Sequence, residues 1–169
     1  LPRQRFNVLE MITTLITDRF SGLQGPKPKI QVALPFADLY GEPVSIRQAI
    51  ANLLDNAAKF SRHASPPTIT IGGTRVEHER ILWVQDNGIG FDPSHYDKIF
   101  GLFERLHSPQ EYEGTGVGLA IVKLVMDKHD GRVWVESAPG AGSKFYLAFP
   151  ERAESVVDRP SSSPHPASA

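Results

Sequence analysis

The order in which helical and strand-like periods succeed one another constrains this chain more than any other feature. Phe6, Leu9, Ile12, Thr13, Ile16 and Phe20 recur at helical spacing, so residues 5–20 read as an amphipathic helix. Gly22 and the Gly25-Pro26-Lys27-Pro28 cluster end it. Ile30 to Leu34 alternates as a short strand, closed by Pro35. A second helix starts near Pro43 to Ser45 and carries Ile46, Ile50, Leu53, Leu54 and Ala57 to about Phe60. Strands follow at 68–76 and 80–85, joined by the polar turn Glu77-His78-Glu79. A third helix over about 116–129 carries Leu119, Val122, Leu124, Val125 and Met126, and strands at 132–137 and 144–149 complete the pattern. Helices and strands mixed in this order predict a two-layer α/β sandwich.

Residues 1–150 therefore read as one domain, large enough to bury a core. Residues 151–169, ending in Ser161-Ser162-Ser163-Pro164-His165-Pro166, read as a disordered tail. With 18 Lys and Arg against 19 Asp and Glu, no basic face is expected, so no nucleic-acid partner is expected. The absence of cysteine excludes disulfides, thiolate chemistry and cysteine metal sites. No apolar signal-peptide core follows Leu1 to Arg5, and the apolar stretch at 116–126 is interrupted by Lys123 and too short to span a bilayer. No membrane contact is expected of this segment, and a cytoplasmic location is.

Residues 87–114 have little periodicity and many turn formers, and such a stretch inside a compact domain points to function. Four clusters surround it, each with a plain structural alternative. In the second helix Asn52 and Asn56 share a face at i, i+4, with Lys59 one step further along. Two amides and a lysine on one stripe suit a hydrated Mg²⁺ and phosphates, or simply form a solvated polar face. Asp86-Asn87-Gly88-Ile89-Gly90 follows a strand directly. It offers a carboxylate acceptor beside two points of close backbone approach, or is an ordinary Asn-Gly turn. Gly114-Thr115-Gly116-Val117-Gly118-Leu119 opens the third helix. Glycines at a helix N-terminus make an anion site. This run follows a polar loop and not an apolar strand, so it is no dinucleotide fingerprint, and no phosphate-binding Gly-x-x-x-x-Gly-Lys motif occurs. Gly140-Ala141-Gly142-Ser143-Lys144-Phe145 is by itself a hairpin turn.

In order and spacing, NLLDNAAKF, DNGIG, Phe100 and Phe103 in a long loop, GTGVGLAI and GAGSKF resemble the boxes of the sensor histidine kinase catalytic domain. The match runs from about residue 5 to 150, and the stretch from Phe103 to Gly116 is most similar to phytochrome-type kinases. The resemblance implies a Bergerat fold, a mixed sheet packed on three helices with ATP between the layers. It implies Asn56 as the Mg²⁺ ligand with Asn52 beside it as a candidate second one, Lys59 on a phosphate and Phe60 packed on the adenine. Asp86 would accept from the adenine amino group, and Gly88 and Gly90 would line the base. Gly114, Thr115, Gly116, Val117, Gly118 and Leu119 would hinge a lid over 91–113 and hold the triphosphate. Phe100 and Phe103 would anchor that lid, Ser143 would reach the base through water, and Arg105 is a candidate for the γ-phosphate or a solvated lid arginine.

Members of that superfamily that hydrolyse ATP carry a glutamate where this chain has Asn52, and an amide cannot take a proton from water. Neutral imidazole needs no such base, since its lone pair is already nucleophilic. The expected function is therefore transfer of the γ-phosphate of Mg-ATP to a histidine, serving a response regulator indirectly. The two competing readings are a regulatory ATP-binding module and a hydrolase of the gyrase or chaperone kind. None of His63, His78, His95, His107, His129 and His165 stands before the first helix, so the phosphoacceptor histidine is expected on a separate dimerisation domain and this chain is expected to be monomeric. No pair of them has zinc spacing, and His129, at a helix end, is expected to cap it or to be solvated.

Overall fold

A computed structural model describes residues 2–25, 27–96, 98–100 and 118–151. In chain order the elements are β1 (Gln4–Asn7), α1 (Val8–Phe20), β2 (Lys29–Ala33), β3 (Asp38–Gly41), α2 (Pro43–Ser61), β4 (Thr68–Val76), β5 (Glu79–Asp86), a 3-10 turn (Pro93–His95), α3 (Gly118–Lys128), β6 (Arg132–Ser137) and β7 (Ser143–Pro150). A five-stranded sheet of order β2-β4-β5-β7-β6 carries one parallel pair, β2 with β4, and three antiparallel ones. The helices cover one face, and the mixed two-layer sandwich expected from the sequence is what forms. No helix among the described residues is long and apolar enough to cross a membrane.

Two short strands were not legible. Gln4–Asn7 pairs antiparallel with Asp38–Gly41 as a separate ribbon. The first helix consequently begins at Val8, not at residue 5. Asn7 caps it, its side-chain oxygen accepting from the Glu10 N–H at 2.8 Å.

The core lies between the helices and the inner face of the sheet. Ile46, Ile50, Leu53 and Leu54 of α2 and Leu119, Val122 and Met126 of α3 bury against Ile69, Ile71, Leu82, Val84, Phe145 and Leu147. Leu124, counted in the helical pattern, is 66% exposed and stands outside this core. On the opposite face Gly72, Trp83, Tyr146 and Trp134 form one cross-strand row. Trp134 stacks on Tyr146 at 4.8 Å, and Lys144 and Arg132 lie over the rings. A Cβ on Gly72 would stand 2.6 Å from the Trp83 indole, so only glycine admits that ring over β4.

The helix layer is fixed to the ribbon through His129, which is buried and not solvated. Its Nε2 accepts from the Glu42 backbone N–H at 3.0 Å, so Nδ1 carries the hydrogen and donates to the Val125 carbonyl at 2.7 Å. The end of α3 is thereby tied to the N-cap of α2, where the Glu42 carboxylate also pairs with Lys128. His129→Ala leaves the Glu42 N–H buried without a partner. The expected cost is about 1–3 kcal/mol, read as a lower urea midpoint at unchanged slope; an unmoved midpoint would contradict this role.

Candidate functional site

The site forms where α2, the end of β5 and the β6–β7 turn meet. Hydrophobic spacing on α2 buries Leu53, Leu54 and Ala57, and the same period sets Asn52 and Asn56 on one adjoining stripe. Asn52 is half-buried, and its Nδ2 donates to the Gly118 carbonyl at 3.2 Å, joining α2 to the start of α3. Asn56 is 6% exposed, and its Nδ2 has no hydrogen-bond partner among the described residues. Buried amides almost always spend their donors, which makes this unspent one a candidate ligand contact. Lys59 and Phe60 are half-buried at the last turns of the same helix, and Leu119 is buried in the first turn of α3.

Asp86 closes β5 and is 4% exposed. Burial pushes its carboxyl up to about 6, against backbone hydrogen bonds from Gly88 and Ser143 that favour the anion. The Gly88 N–H donates to Oδ1 at 2.8 Å. At neutral pH the group is a carboxylate with lone pairs to spare in a partly dry place, an acceptor without a donor function.

The glycines around it are explained by close approach. A Cβ on Gly88 would stand 2.1 Å from the Phe60 carbonyl oxygen, which accepts from the Ile89 N–H at 3.2 Å. Gly90 has φ +64°, and a Cβ there would meet the Ala138 carbonyl at 1.9 Å. Gly142 has φ +74° and lies against the Asp86 backbone, a Cβ falling 2.1 Å from its carbonyl oxygen. The Asp86–Gly90 loop is thus clamped between the end of α2 and the Gly140–Gly142 turn, whose Gly140 N–H donates to the Ile89 carbonyl at 2.7 Å. Phe60, His63, Ala64, Asn87, Gly88 and Ile89 line a cleft of about 200 Å³ at its edge.

The Asn87 side chain is spent on scaffolding. Its side chain accepts from the Thr68 N–H at 2.9 Å and donates to the Pro66 carbonyl at 2.8 Å, holding the α2–β4 connection. Ser143, buried at the start of β7, lies directly across from Asp86.

Two residues that sequence reasoning missed hold the segment after Gly90. The Ser137 hydroxyl accepts from the Phe91 N–H at 2.9 Å, donates to the Gly142 carbonyl at 2.9 Å and lies 2.8 Å from the Ser143 hydroxyl. The Tyr96 hydroxyl accepts from the Ser137 N–H and donates to its carbonyl. Phe91 packs edge-on against Tyr96, and Phe100, half-buried, packs edge-on against Phe145 at 6.1 Å. A lone serine at a strand end carries no sequence signal, and neither does a tyrosine in an irregular loop.

The structure brings Phe60, Asp86, Gly88 and Ser143 together at the end of β5 and Asn52 against Gly118 between the helices, with Gly90 held against Ala138 and Gly142, Asn56 and Lys59 further along α2 and Leu119 in the first turn of α3. Arg105, Gly114, Thr115, Gly116 and Val117, together with Phe103 and His107, lie outside the described residues. Among the described residues no three His, Cys, Asp or Glu side chains gather as a metal cluster.

Several known proteins are similar to this chain. The phytochrome-like protein Cph1 of Synechocystis is 46% identical over 109 residues, 64% of this chain and 14% of that protein. The methanogenesis regulatory histidine kinase FilI of Methanothrix harundinacea is 33% identical over 141 residues, 83% of this chain and 16% of that protein. This chain thus spans about a sixth of the length of these relatives. The structure of the mycobacterial sensor histidine kinase MprB superposes with a TM-score of 0.73 at 24% identity, covering 89% of this chain and 99% of that one, a likeness of fold. Residues 41–153 match the family model described as histidine kinase-, DNA gyrase B- and HSP90-like ATPase. On that match the chain belongs to the histidine kinase-, DNA gyrase B- and HSP90-like ATPase family.

Proposed function

We propose that this chain is the catalytic domain of a protein histidine kinase. It binds Mg-ATP between the helix layer and the end of β5 and directs the γ-phosphate to a histidine on a separate dimerisation domain, from which a response regulator is served. The observation that carries the adenine end is Asp86, a buried carboxylate with acceptor capacity left after its bonds to Gly88 and Ser143. An exocyclic amino group satisfies it, whereas a carbonyl sets acceptor against acceptor.

Asn56 supports the phosphate end, since its unspent buried donor suits a phosphate oxygen and its Oδ1 suits a hard cation. Asn52, Asn56 and Lys59 would hold the metal and phosphates. Mg²⁺ neutralises charge on the β- and γ-oxygens when bound. In the transfer the imidazole lone pair forms the N–P bond while the bridging O–P bond breaks, and ADP leaves with that electron pair. A hydrolase would need a base for water. Asn52 spends an amide hydrogen on the Gly118 carbonyl and cannot take a proton.

Calorimetric titration with Mg-ATP and Mg-GTP, followed by labelling from γ-labelled ATP, tests the reading. ATP is expected to bind more tightly than GTP. Label is expected on an added phosphoacceptor domain from a phytochrome-like relative and not on this chain alone. Rapid steady-state phosphate release would favour the hydrolase, and no ATP binding by the folded chain would favour neither enzyme. Asn56→Ala is expected to weaken Mg-ATP binding about tenfold or more, as for loss of a bond to a charged group. In EDTA the gap between the variant and the parent chain should narrow to the loss of the phosphate bond alone; an unchanged Mg²⁺ dependence would remove Asn56 from the metal site.

A further inference from the structure

Ser137 makes three polar contacts with one hydroxyl, and only one of them can use its hydrogen. The Phe91 N–H is a donor, so toward it Ser137 accepts, at 2.9 Å. The Gly142 carbonyl is an acceptor, so toward it Ser137 donates, also at 2.9 Å. The hydrogen between Ser137 and Ser143, 2.8 Å apart, must then come from Ser143. With that hydrogen turned to Ser137, the Ser143 hydroxyl has only lone pairs left for any other partner. Ser143 is 3% exposed and lies across the sheet from Asp86, whose carboxylate is likewise an acceptor.

We propose that Ser137 is a specificity-determining positioning residue: by consuming the Ser143 hydrogen it makes Ser143 a second acceptor beside Asp86, so that the pocket admits an amino-bearing purine and refuses one with a carbonyl at that edge. This rests on the reading of Asp86 as the adenine acceptor. Two acceptors match the two hydrogens of an exocyclic amino group, directly or through one bridging water. Were Ser143 free to turn, its O–H could donate to a guanine carbonyl, and the second barrier to guanine would fall.

Removing Ser137 also takes away the hydroxyl that accepts from the Phe91 N–H and loosens the loop. That loss acts on ATP and GTP alike and leaves their ratio unchanged, whereas reorientation of Ser143 changes the ratio. The experiment is calorimetric titration of the chain with Mg-ATP and Mg-GTP in Ser137→Ala, Ser137→Thr, Ser143→Ala and the Ser137→Ala/Ser143→Ala double variant, each checked for a cooperative melt. Ser137→Ala is expected to lower the ATP-to-GTP affinity ratio about tenfold, the worth of one misdirected hydrogen bond. Ser137→Thr, which keeps the hydroxyl, is expected to restore it. Adding Ser137→Ala to Ser143→Ala is expected to leave the ratio where Ser143→Ala put it. An unchanged ratio in Ser137→Ala, or an equal fall with and without the Ser143 hydroxyl, overturns the inference while the adenine reading stands. A parent chain without preference for ATP, or one whose ATP binding survives Asp86→Asn, overturns the adenine reading itself.

Discussion

Asp86→Asn is expected to raise the melting temperature of the nucleotide-free chain at neutral pH and to remove most of its ATP binding. The two effects have one origin. Burial lifts the Asp86 carboxyl from the usual 3.8 to about 6, so the folded state prefers the neutral form. For a group raised on folding, the stabilising contribution is complete below the unfolded value and is lost as pH rises through the folded one. Above pH about 7 the anion costs the fold on the order of 2–3 kcal/mol. An amide of the same shape avoids that cost and still accepts from Gly88, so a gain of several degrees, up to about 8 °C, is expected. It presents Nδ2 hydrogens where the base presents its own, and affinity should fall about tenfold to a hundredfold. The parent chain makes the same point through pH. Affinity for Mg-ATP should be level above pH about 7 and fall toward tenfold weaker one unit below the Asp86 value, as the carboxylate is protonated. Thermal melts and titrations at pH 5, 6 and 7.5 check both halves. A variant that is no more stable, or an affinity indifferent to pH, would mean that Asp86 neither strains the fold nor meets the base.

Gly90→Ala should be among the most damaging single substitutions in the chain, with Gly140→Ala as its internal control. Both glycines have positive φ, +64° and +77°, and a Cβ on either meets the backbone penalty of about 1–2 kcal/mol. Around Gly140 there is open space, so nothing more is lost. At Gly90 the new carbon would sit 1.9 Å from the Ala138 carbonyl oxygen, a backbone atom that cannot turn aside. The loop from Asp86 must then leave the β6–β7 turn, releasing the Gly140-to-Ile89 bond and displacing the residues that surround Asp86. A total loss of about 4 kcal/mol or more is expected by denaturant melts, with ATP binding lost even where the chain still folds. Equal stability of the two variants would show that the loop is not clamped there.

The long elements were legible because burial imposes a period on them. Helix α2 and strands β4 to β7 each press one face into the core, and Ile46 to Ala57 or Ile69 to Val84 advertise it. The strands β1 and β3 carry four residues each and exist only because they find one another some 30 positions apart. Phe6 fits a helical stripe as well as it fits a strand. Leu124 shows the converse, an apolar residue two positions from both Val122 and Met126, which the helical turn places on the outer face. At the site, Asp86, the glycines and the paired asparagines stood out because their spacing is unusual. The hydroxyls of Ser137 and Tyr96, the inward role of His129 and the scaffolding role of Asn87 come from tertiary pairing, which leaves no local trace.

Helix α3 is pinned at both ends to the same partner. Asn52 holds the carbonyl of its first residue, and His129, just past its last turn, holds the N-cap of α2. From Glu42 to Asn52 is ten residues and from Gly118 to His129 eleven, roughly 15 and 16 Å at a helical rise of 1.5 Å per residue. The two spans match, so the antiparallel pair is a frame with two bolts: sliding or rolling α3 shears one of them. On the proposed reading, a phosphate at the first turn of α3 would have to break one of these two bonds before it could drive the helix like a piston.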